Sequence, residues 1–281
     1  MSFPLRVGRI PYANLVPIFH ALGGAKDAQV SFIDGHPAGL NIMLRQGELD
    51  ISPNSSIEYA AAPDLYLVCP GISIASRTRV MSVLLFSNMP LRELPEDPVA
   101  VTSASDTSVA LLDILFTESL GRRRKLVRTE LSPQQALEKY PAYLSIGDEA
   151  LKAYAAGASL HITDLGQWWK AETGKPFVFS LWIVSRKSWE GPKKEVIRSF
   201  CAALLESKRS VQESIRNGRY PWGGPEWMSA KLREEYWHCL SYDLDDELEG
   251  LALFYKLAEK NGLIPFAPKI KFLEPRLRNR N

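Results

Sequence analysis

Apolar positions follow two different spacings along the chain. Some stretches are short and apolar or alternating, as strands are, and others repeat apolar residues every three or four positions, as amphipathic helices do. In the first third of the chain, strands are predicted at 5–10, 30–33, 50–51 and 65–68, and helices at 15–22, 38–45 and 55–62. Strands that alternate with helices are typical of α/β proteins, so the pattern predicts an α/β fold with a mostly parallel sheet.

The alternation then repeats between two unusually long apolar stretches, residues 80–86 and 177–184. We interpret these two stretches as strands that cross between lobes. The predicted architecture is therefore α/β and two-lobed, with lobe one formed by residues 1–88 and 181–281 and lobe two by residues 89–180. A single continuous sheet with an insertion is the alternative. Two-lobed α/β proteins bind ligands between the lobes, at the carboxyl ends of strands.

Composition narrows the class of function. The 281 residues are 46% hydrophobic and 23% charged, with a formal net charge of +2. This is ordinary globular composition, and it supplies no strong field for nucleic acid or an anionic membrane. No secretory signal is recognised at the start, no apolar run reaches the roughly 20 residues of a membrane span, and the three cysteines form no CxxC pair. We therefore expect a cytoplasmic protein, monomeric or homodimeric.

Hydroxyl-rich turns mark one helix start in each lobe. The candidate residues are Ser55 and Ser56 in lobe one, and Ser103, Thr107 and Ser108 in lobe two. Free N–H groups, hydroxyl donors and the helix dipole make such turns suitable for anions. Facing each other across a cleft, the two turns would bind a ligand with two carboxylates. Simple helix capping is the alternative, and Ser55 with Glu58 has the spacing of a capping box.

Two further turns end a strand and open a helix. In one of them, Gly147 permits a close backbone approach or an unusual dihedral angle, and Asp148 could cap the helix or bind a ligand hydroxyl. In the other, Arg9, Tyr12 and Asn14 could reach into the cleft, although Asn14 could equally be a helix N-cap. The four histidines lack metal-ligand spacing, and nucleotide-binding and serine-hydrolase motifs are absent. We therefore expect no metal and no cofactor.

Four segments carry a resemblance to a known family. They are VGRIPYANLVPIF (7–19), GELDISPNSSIEYA (47–60), SIGDEALKAY (145–154) and TGKPFVFSLW (173–182). In combination they resemble the chorismate dehydratases of the futalosine route to menaquinone, through most of residues 5–185. That resemblance implies a fold like that of type II periplasmic solute-binding proteins. A solute-binding protein for a small organic anion is a competing interpretation.

The same resemblance separates two sister enzymes. The 1,4-dihydroxy-6-naphthoate synthases share the fold but typically have a histidine base in an Ile-His-Glu turn where this chain has Gly147. The dehydratase reaction removes the ring C3 proton and the C4 hydroxyl of chorismate, without metal or redox cofactor. The expected roles are catalysis for Asn14 and Asp148, and substrate binding for Arg9, Tyr12, Gly147 and the five hydroxyl residues. The proton acceptor stays open between Asp148 and the substrate's own enolpyruvyl carboxylate.

Overall fold

A computed structural model describes residues 4–23, 30–157 and 160–273. Its strands form two mixed sheets with helices packed against them. The strands are β1 Leu5–Arg9, β2 Val30–Asp34, β3 Ile51–Ser55, β4 Tyr66–Ser76, β5 Val83–Ser87, β6 Val99–Thr102, β7 Leu126–Thr129, β8 Ala142–Ile146, β9 His161–Asp164, β10 Phe177–Ser185 and β11 Leu240–Ser241. The predicted α/β class and two-lobed arrangement are confirmed.

Eleven α-helices connect or follow these strands in the described part of the chain. They are α1 Val16–Ala21, α2 Pro37–Arg45, α3 Ser56–Ala61, α4 Thr107–Glu118, α5 Pro133–Leu137, α6 Gly147–Ala155, α7 Leu165–Thr173, α8 Arg186–Trp189, α9 Lys194–Arg216, α10 Ala230–Cys239 and α11 Glu247–Lys260. A short 3-10 turn covers Leu91–Glu93, between strands β5 and β6. Among the described residues, no helix combines the length and the apolar content needed to cross a membrane.

The first sheet has the order β11-β4-β10-β3-β1-β2, and the second has the order β7-β6-β8-β5-β9. The prediction of mostly parallel sheets is wrong. Strands β1, β2 and β3 pair in parallel, but β10 lies antiparallel between β3 and β4, and β5 lies antiparallel between β8 and β9. Strands β5 and β10 each follow a passage from one sheet to the other, and each runs antiparallel to the two strands beside it.

The two passages between the sheets are shorter than the predicted crossing strands. One is residues 77–82, between β4 and β5, and the other is residues 174–176, between α7 and β10. Strand β5 lies in the second sheet and all of β10 in the first, so the sheets change several residues before the expected lobe boundaries at 88/89 and 180/181. Long apolar strands are buried on both faces in either sheet, and apolar content therefore does not show which sheet takes them.

The first passage is fastened to the second sheet. The Asp164 carboxylate accepts hydrogen bonds from the backbone N–H groups of Val80 and Met81, the latter at 2.7 Å, and also caps helix α7 through Gln167 N. Burial raises the pKa of Asp164, against the lowering effect of these N–H donors. Met81 has φ 59°, a left-handed conformation that costs an ordinary residue about 1 kcal/mol. The passage is therefore a specified bend that directs Ser82 toward the space between the sheets.

Candidate active site

A small cavity of about 60 Å³ lies between the two sheets. Both lobes and the first passage contribute to its wall. The lining residues are Ile10, Tyr12, Asn14, Leu15, Pro37, Ser55, Ile74, Val80, Ser82, Val83, Ser105, Ser108, Ile146, Gly147, Phe179 and Ser180. Of the site residues expected from the sequence, the structure brings Tyr12, Asn14, Ser55, Ser108 and Gly147 together here.

The polar part of this wall consists of hydroxyl, amide and backbone groups. None of the described lining residues is Asp, Glu, His, Lys or Arg. Helices α4 and α6 begin at the wall, and their N-terminal ends supply positive dipole potential in place of a cation. Such a cavity can bind an anion through oriented donors while offering no side-chain base of its own.

Gly147 brings the two lobes into direct contact. It has φ 63°, and a Cβ atom built there would lie 2.8 Å from the ring of Tyr12. Its N–H donates to Ser82 O at 2.8 Å. Burial raises the pKa of Tyr12, and the nearby Asp148 and Glu149 raise it further, so this phenol stays protonated. Both features predicted for Gly147, a close approach and an unusual dihedral, are present.

Asp148 bonds across the lobes, and it is not part of the cavity lining. Its Oδ1 accepts a hydrogen bond from Ala13 N at 2.9 Å, and it does not cap helix α6. Burial raises the pKa of Asp148, whereas the Ala13 N–H and Lys152 act to lower it. The carboxylate thus links the turn before helix α1 to helix α6. It is directed toward Ala13 N and does not reach the cavity.

Asn14 lines the cavity with an unsatisfied acceptor. Its buried Oδ1 has no hydrogen-bond partner among the described residues, while its backbone carbonyl accepts from the Tyr242 hydroxyl at 2.6 Å. Of the two alternatives for Asn14, the N-cap of helix α1 is wrong, because Leu15 occupies the N-cap position without a side-chain cap. A buried acceptor without a partner is costly, so this oxygen is suited to a ligand hydroxyl or amide group.

Ser56 and Thr107 meet each other instead of lining the cavity. Their hydroxyl oxygens are 3.3 Å apart, Thr107 Oγ1 accepts from Ile57 N, and Ser56 Oγ donates to Val178 O. The predicted capping box at Ser55 is also absent, because the Glu58 carboxylate is held by Arg45 and by the Tyr66 hydroxyl. The two helix ends do face each other across the lobes, but their hydroxyl groups contact each other and are not open to a ligand in this structure.

Arg9 and Ser103 lie outside the cavity. Arg9 forms an exposed ion pair with Asp34 of the neighbouring strand, with Nη2 2.9 Å from Oδ2. Ser103 lines a separate open groove that also contains Arg128 and Asp106, which pair at 2.8 Å. In both cases the position at a strand end is right, but side-chain direction along a strand alternates, and the nearest opposite charge decides where an arginine points.

Three further serines line the cavity and were not predicted from the sequence: Ser82, Ser105 and Ser180. Ser105 Oγ accepts from Ser108 N at 3.2 Å, Ser180 Oγ donates to Asn54 O at 2.8 Å, and Ser82 Oγ accepts from Tyr236 OH at 3.0 Å. The Ser-x-x-Ser spacing of 105–108 is a signal that could have identified the first. Ser82 and Ser180 are single polar residues within apolar stretches, and their sequence context gives no comparable signal.

Comparison with known proteins agrees with this arrangement. A family model described as menaquinone biosynthesis matches residues 5–260. A chorismate dehydratase of Thermus thermophilus is 32% identical, with 94% of this chain and 97% of that protein covered. A 1,4-dihydroxy-6-naphthoate synthase of the same organism is similar at 26% identity over 96% of this chain and 99% of its own length. The resemblance found in the four sequence segments is confirmed.

Solved structures show the same fold at low identity. A protein of Archaeoglobus fulgidus superposes with a TM-score of 0.71 at 19% identity, covering 93% of this chain and 98% of that one. The periplasmic aliphatic sulphonate-binding protein SsuA of Escherichia coli superposes with a TM-score of 0.60 at 17% identity, covering 95% of each chain. These likenesses confirm the periplasmic-binding-protein-like architecture. With the family match over residues 5–260, they show that the chain belongs to the menaquinone-biosynthesis family.

Proposed function

We propose that this protein is a chorismate dehydratase, a hydro-lyase that converts chorismate to 3-[(1-carboxyvinyl)oxy]benzoate and water in the futalosine route to menaquinone. The observation that carries the proposal is the interlobe cavity, whose polar lining is formed by hydroxyls, backbone groups and the unpartnered Asn14 Oδ1. The 32% identical relative of the same name supports it. Gly147, in place of the histidine typical of the sister synthases, favours the dehydratase.

Substrate binding follows from the cavity wall. Chorismate carries a ring carboxylate and an enolpyruvyl carboxylate, and each needs several donors once it leaves water. Ser108 at the start of helix α4 supplies a hydroxyl donor on one side, and Ser55 supplies one on the other. The dipole of the twelve-residue helix α4 adds to the first group. Either carboxylate could take either place.

The elimination needs a proton acceptor at ring C3 and a route for the C4 hydroxyl. Removal of the C3 proton leaves its electron pair delocalised onto the ring carboxylate as a dienolate. Collapse of the dienolate forms the C3–C4 double bond and breaks the C4–O bond, and the departing hydroxide takes up the proton removed from C3 and becomes water. Donors at the ring carboxylate stabilise the charge that develops there.

We infer that the substrate's enolpyruvyl carboxylate accepts the C3 proton. The described cavity lining offers no carboxylate or imidazole, and Asp148 is bound to Ala13 N. A substrate carboxylate held beside C3 supplies a base by proximity alone. The Asn14 Oδ1 acceptor then orients the C4 hydroxyl, and the closed lobes exclude bulk water.

The test is incubation of the purified protein with chorismate. We expect the absorbance of the cyclohexadiene to disappear while an aromatic enol ether appears, with a mass loss of one water. Binding without turnover would favour a solute-binding protein for a small organic anion, and absence of binding would overturn the proposal. We also propose a cytoplasmic location and a monomer or homodimer, which cell fractionation and light scattering would test.

A further inference from the structure

Three side chains from the C-terminal part of the chain reach the cavity wall from behind. Trp237 Nε1 donates to Ala13 O at 2.9 Å, and the Tyr242 hydroxyl donates to Asn14 O at 2.6 Å. The Tyr236 hydroxyl instead donates to a side chain, Ser82 Oγ, at 3.0 Å. The first two bonds hold the backbone of the turn before helix α1, whereas the third engages a hydroxyl that itself lines the cavity.

The direction of the Tyr236 bond determines what Ser82 can do. A hydroxyl has one proton to donate, and the oxygen of Ser82 already accepts the proton of Tyr236. The remaining Ser82 O–H has only a long bond to Val80 O, at 3.4 Å. A ligand oxygen in the cavity at ordinary hydrogen-bond distance would therefore be a better acceptor for this proton.

Tyr236 is well suited to remain the donor of this pair. Its side chain is 1% exposed, and burial raises the pKa of its phenol; the hydrogen bond with Ser82 acts to lower that pKa, and the nearby negative charge of Asp148 acts to raise it. A phenol that does not ionise donates through its O–H at every working pH. Its ring also packs within the core, which fixes the hydroxyl in place.

We propose that Tyr236 is a positioning residue which holds Ser82 as a hydrogen-bond donor to the substrate oxygen on which negative charge develops. This inference rests on the proposed dehydratase function. Because Tyr236 occupies the Ser82 oxygen, Ser82 is left with a proton to offer and reduced capacity to accept one. The pair selects an anionic or departing oxygen and disfavours a ligand group that only donates.

The test is a double-mutant cycle on chorismate turnover. Tyr236→Phe keeps the ring and removes only the hydroxyl, and Ser82→Ala removes the donor itself. We expect Tyr236→Phe to lower kcat about tenfold with a smaller change in KM, which is less than the loss typical of deleting an oxyanion donor outright. In the Ser82→Ala background, the same substitution should have little further effect, because Tyr236 acts through Ser82.

Tyr59→Phe is the matched control. Tyr59 is also buried, and its hydroxyl donates to Lys269 O at 3.0 Å, away from the cavity lining. We expect this variant to lose stability without a change in kcat. If Ser82→Ala does not fold, Ser82→Cys serves in the cycle, since a thiol is a weak donor.

The outcomes separate the inference from the function on which it rests. Additive effects of Tyr236→Phe and Ser82→Ala in a protein that turns over chorismate would overturn the positioning role alone. An equal loss of kcat in Tyr59→Phe would reduce the Tyr236 effect to general destabilisation and also overturn it. Absence of turnover by the wild-type protein would overturn the dehydratase proposal and this inference with it.

Discussion

The hydroxyl oxygens of Ser56 and Thr107 lie 3.3 Å apart, at the facing ends of helices α3 and α4. Each hydroxyl also serves the backbone, since Thr107 Oγ1 accepts from Ile57 N and Ser56 Oγ donates to Val178 O. The contact spans the two lobes and is buried. It is therefore a closure contact in this structure, placed where the sequence suggested two anion-binding turns.

For the Ser56→Ala, Thr107→Val double variant we expect a raised KM, a lowered kcat and a loss of about 1 to 3 kcal/mol in the free energy of unfolding. The loss arises because valine leaves the buried Ile57 N–H without an acceptor. Chemical denaturation and steady-state kinetics measure the two effects. Thr107→Ser keeps the acceptor and should stay near wild type. Wild-type kinetics in the double variant would show that this closure contact is not needed for turnover.

Gly147→Ala should lower both stability and turnover. The left-handed φ of 63° costs alanine about 1 kcal/mol, and the added Cβ would meet the Tyr12 ring at 2.8 Å. Gly121→Ala is the control, since Gly121 has φ 65° and open space around its Cα. We expect thermal melts to show a cost in both variants, and a loss of kcat/KM in Gly147→Ala alone. Equal activity of the two variants would show that the close lobe contact is dispensable.

Asn14→Ala should lower turnover about a hundredfold while slightly stabilising or sparing the fold. Asn14 Oδ1 is buried without a partner, so deleting it removes an unsatisfied acceptor from the unliganded protein and a hydroxyl acceptor from the complex. Kinetics and thermal melts on the same preparation show whether turnover falls while the melting temperature is unchanged or slightly higher. A drop in melting temperature with unchanged kcat would assign Asn14 a structural role only.

Asp148→Asn distinguishes a cross-lobe contact from a catalytic base. We expect most of the turnover to survive, because an amide oxygen still accepts from Ala13 N. Burial raises the pKa of Asp148, so the folded state favours the protonated form, and the stabilising contribution present at low pH is lost as pH rises through that pKa. As pH rises, the variant should gain stability relative to the wild type, because the amide carries no charge to bury. A decrease in turnover of about a thousandfold or more would instead identify Asp148 as the base.

Asp50 should make the protein sensitive to acid. It is 1% exposed and accepts from Arg6, Lys193 and Ser188; burial alone would raise its pKa, but these donors overcome burial and lower the pKa to about 2. Its stabilisation is therefore present above about pH 4 and lost as pH falls through 2.

For Asp50→Asn we expect a loss of about 2 to 4 kcal/mol at pH 7 and a weaker pH dependence below pH 4, measured by urea denaturation. Asp64→Asn, which removes an exposed partner of Lys271, should change the unfolding curve little. Equal effects of the two substitutions would contradict the role assigned to burial.

Hydrophobic spacing predicted most elements of the first third of the chain to within a few residues, helix α2 and strands β1 and β2 among them. Local spacing carries this information because periods of two and of 3.6 residues arise within one element. Turn chemistry placed Tyr12, Asn14, Ser55, Ser108 and Gly147 at the ends of strands, and these are cavity residues in the structure.

What the tertiary structure alone decided is which side chains face the cavity and which partners take the others. Arg9 pairs with Asp34 of strand β2, and Glu58 pairs with Arg45 of helix α2. Ser82 reaches the cavity wall because Asp164 holds the bend that precedes it. Tyr236 meets Ser82 across 154 residues of chain. The amino-acid sequence determined the elements and the lobe plan through local periodicity. The hydrogen-bonded site depended on long-range packing. Residues far apart in the chain become available as ion-pair and hydrogen-bond partners only when the lobes pack together.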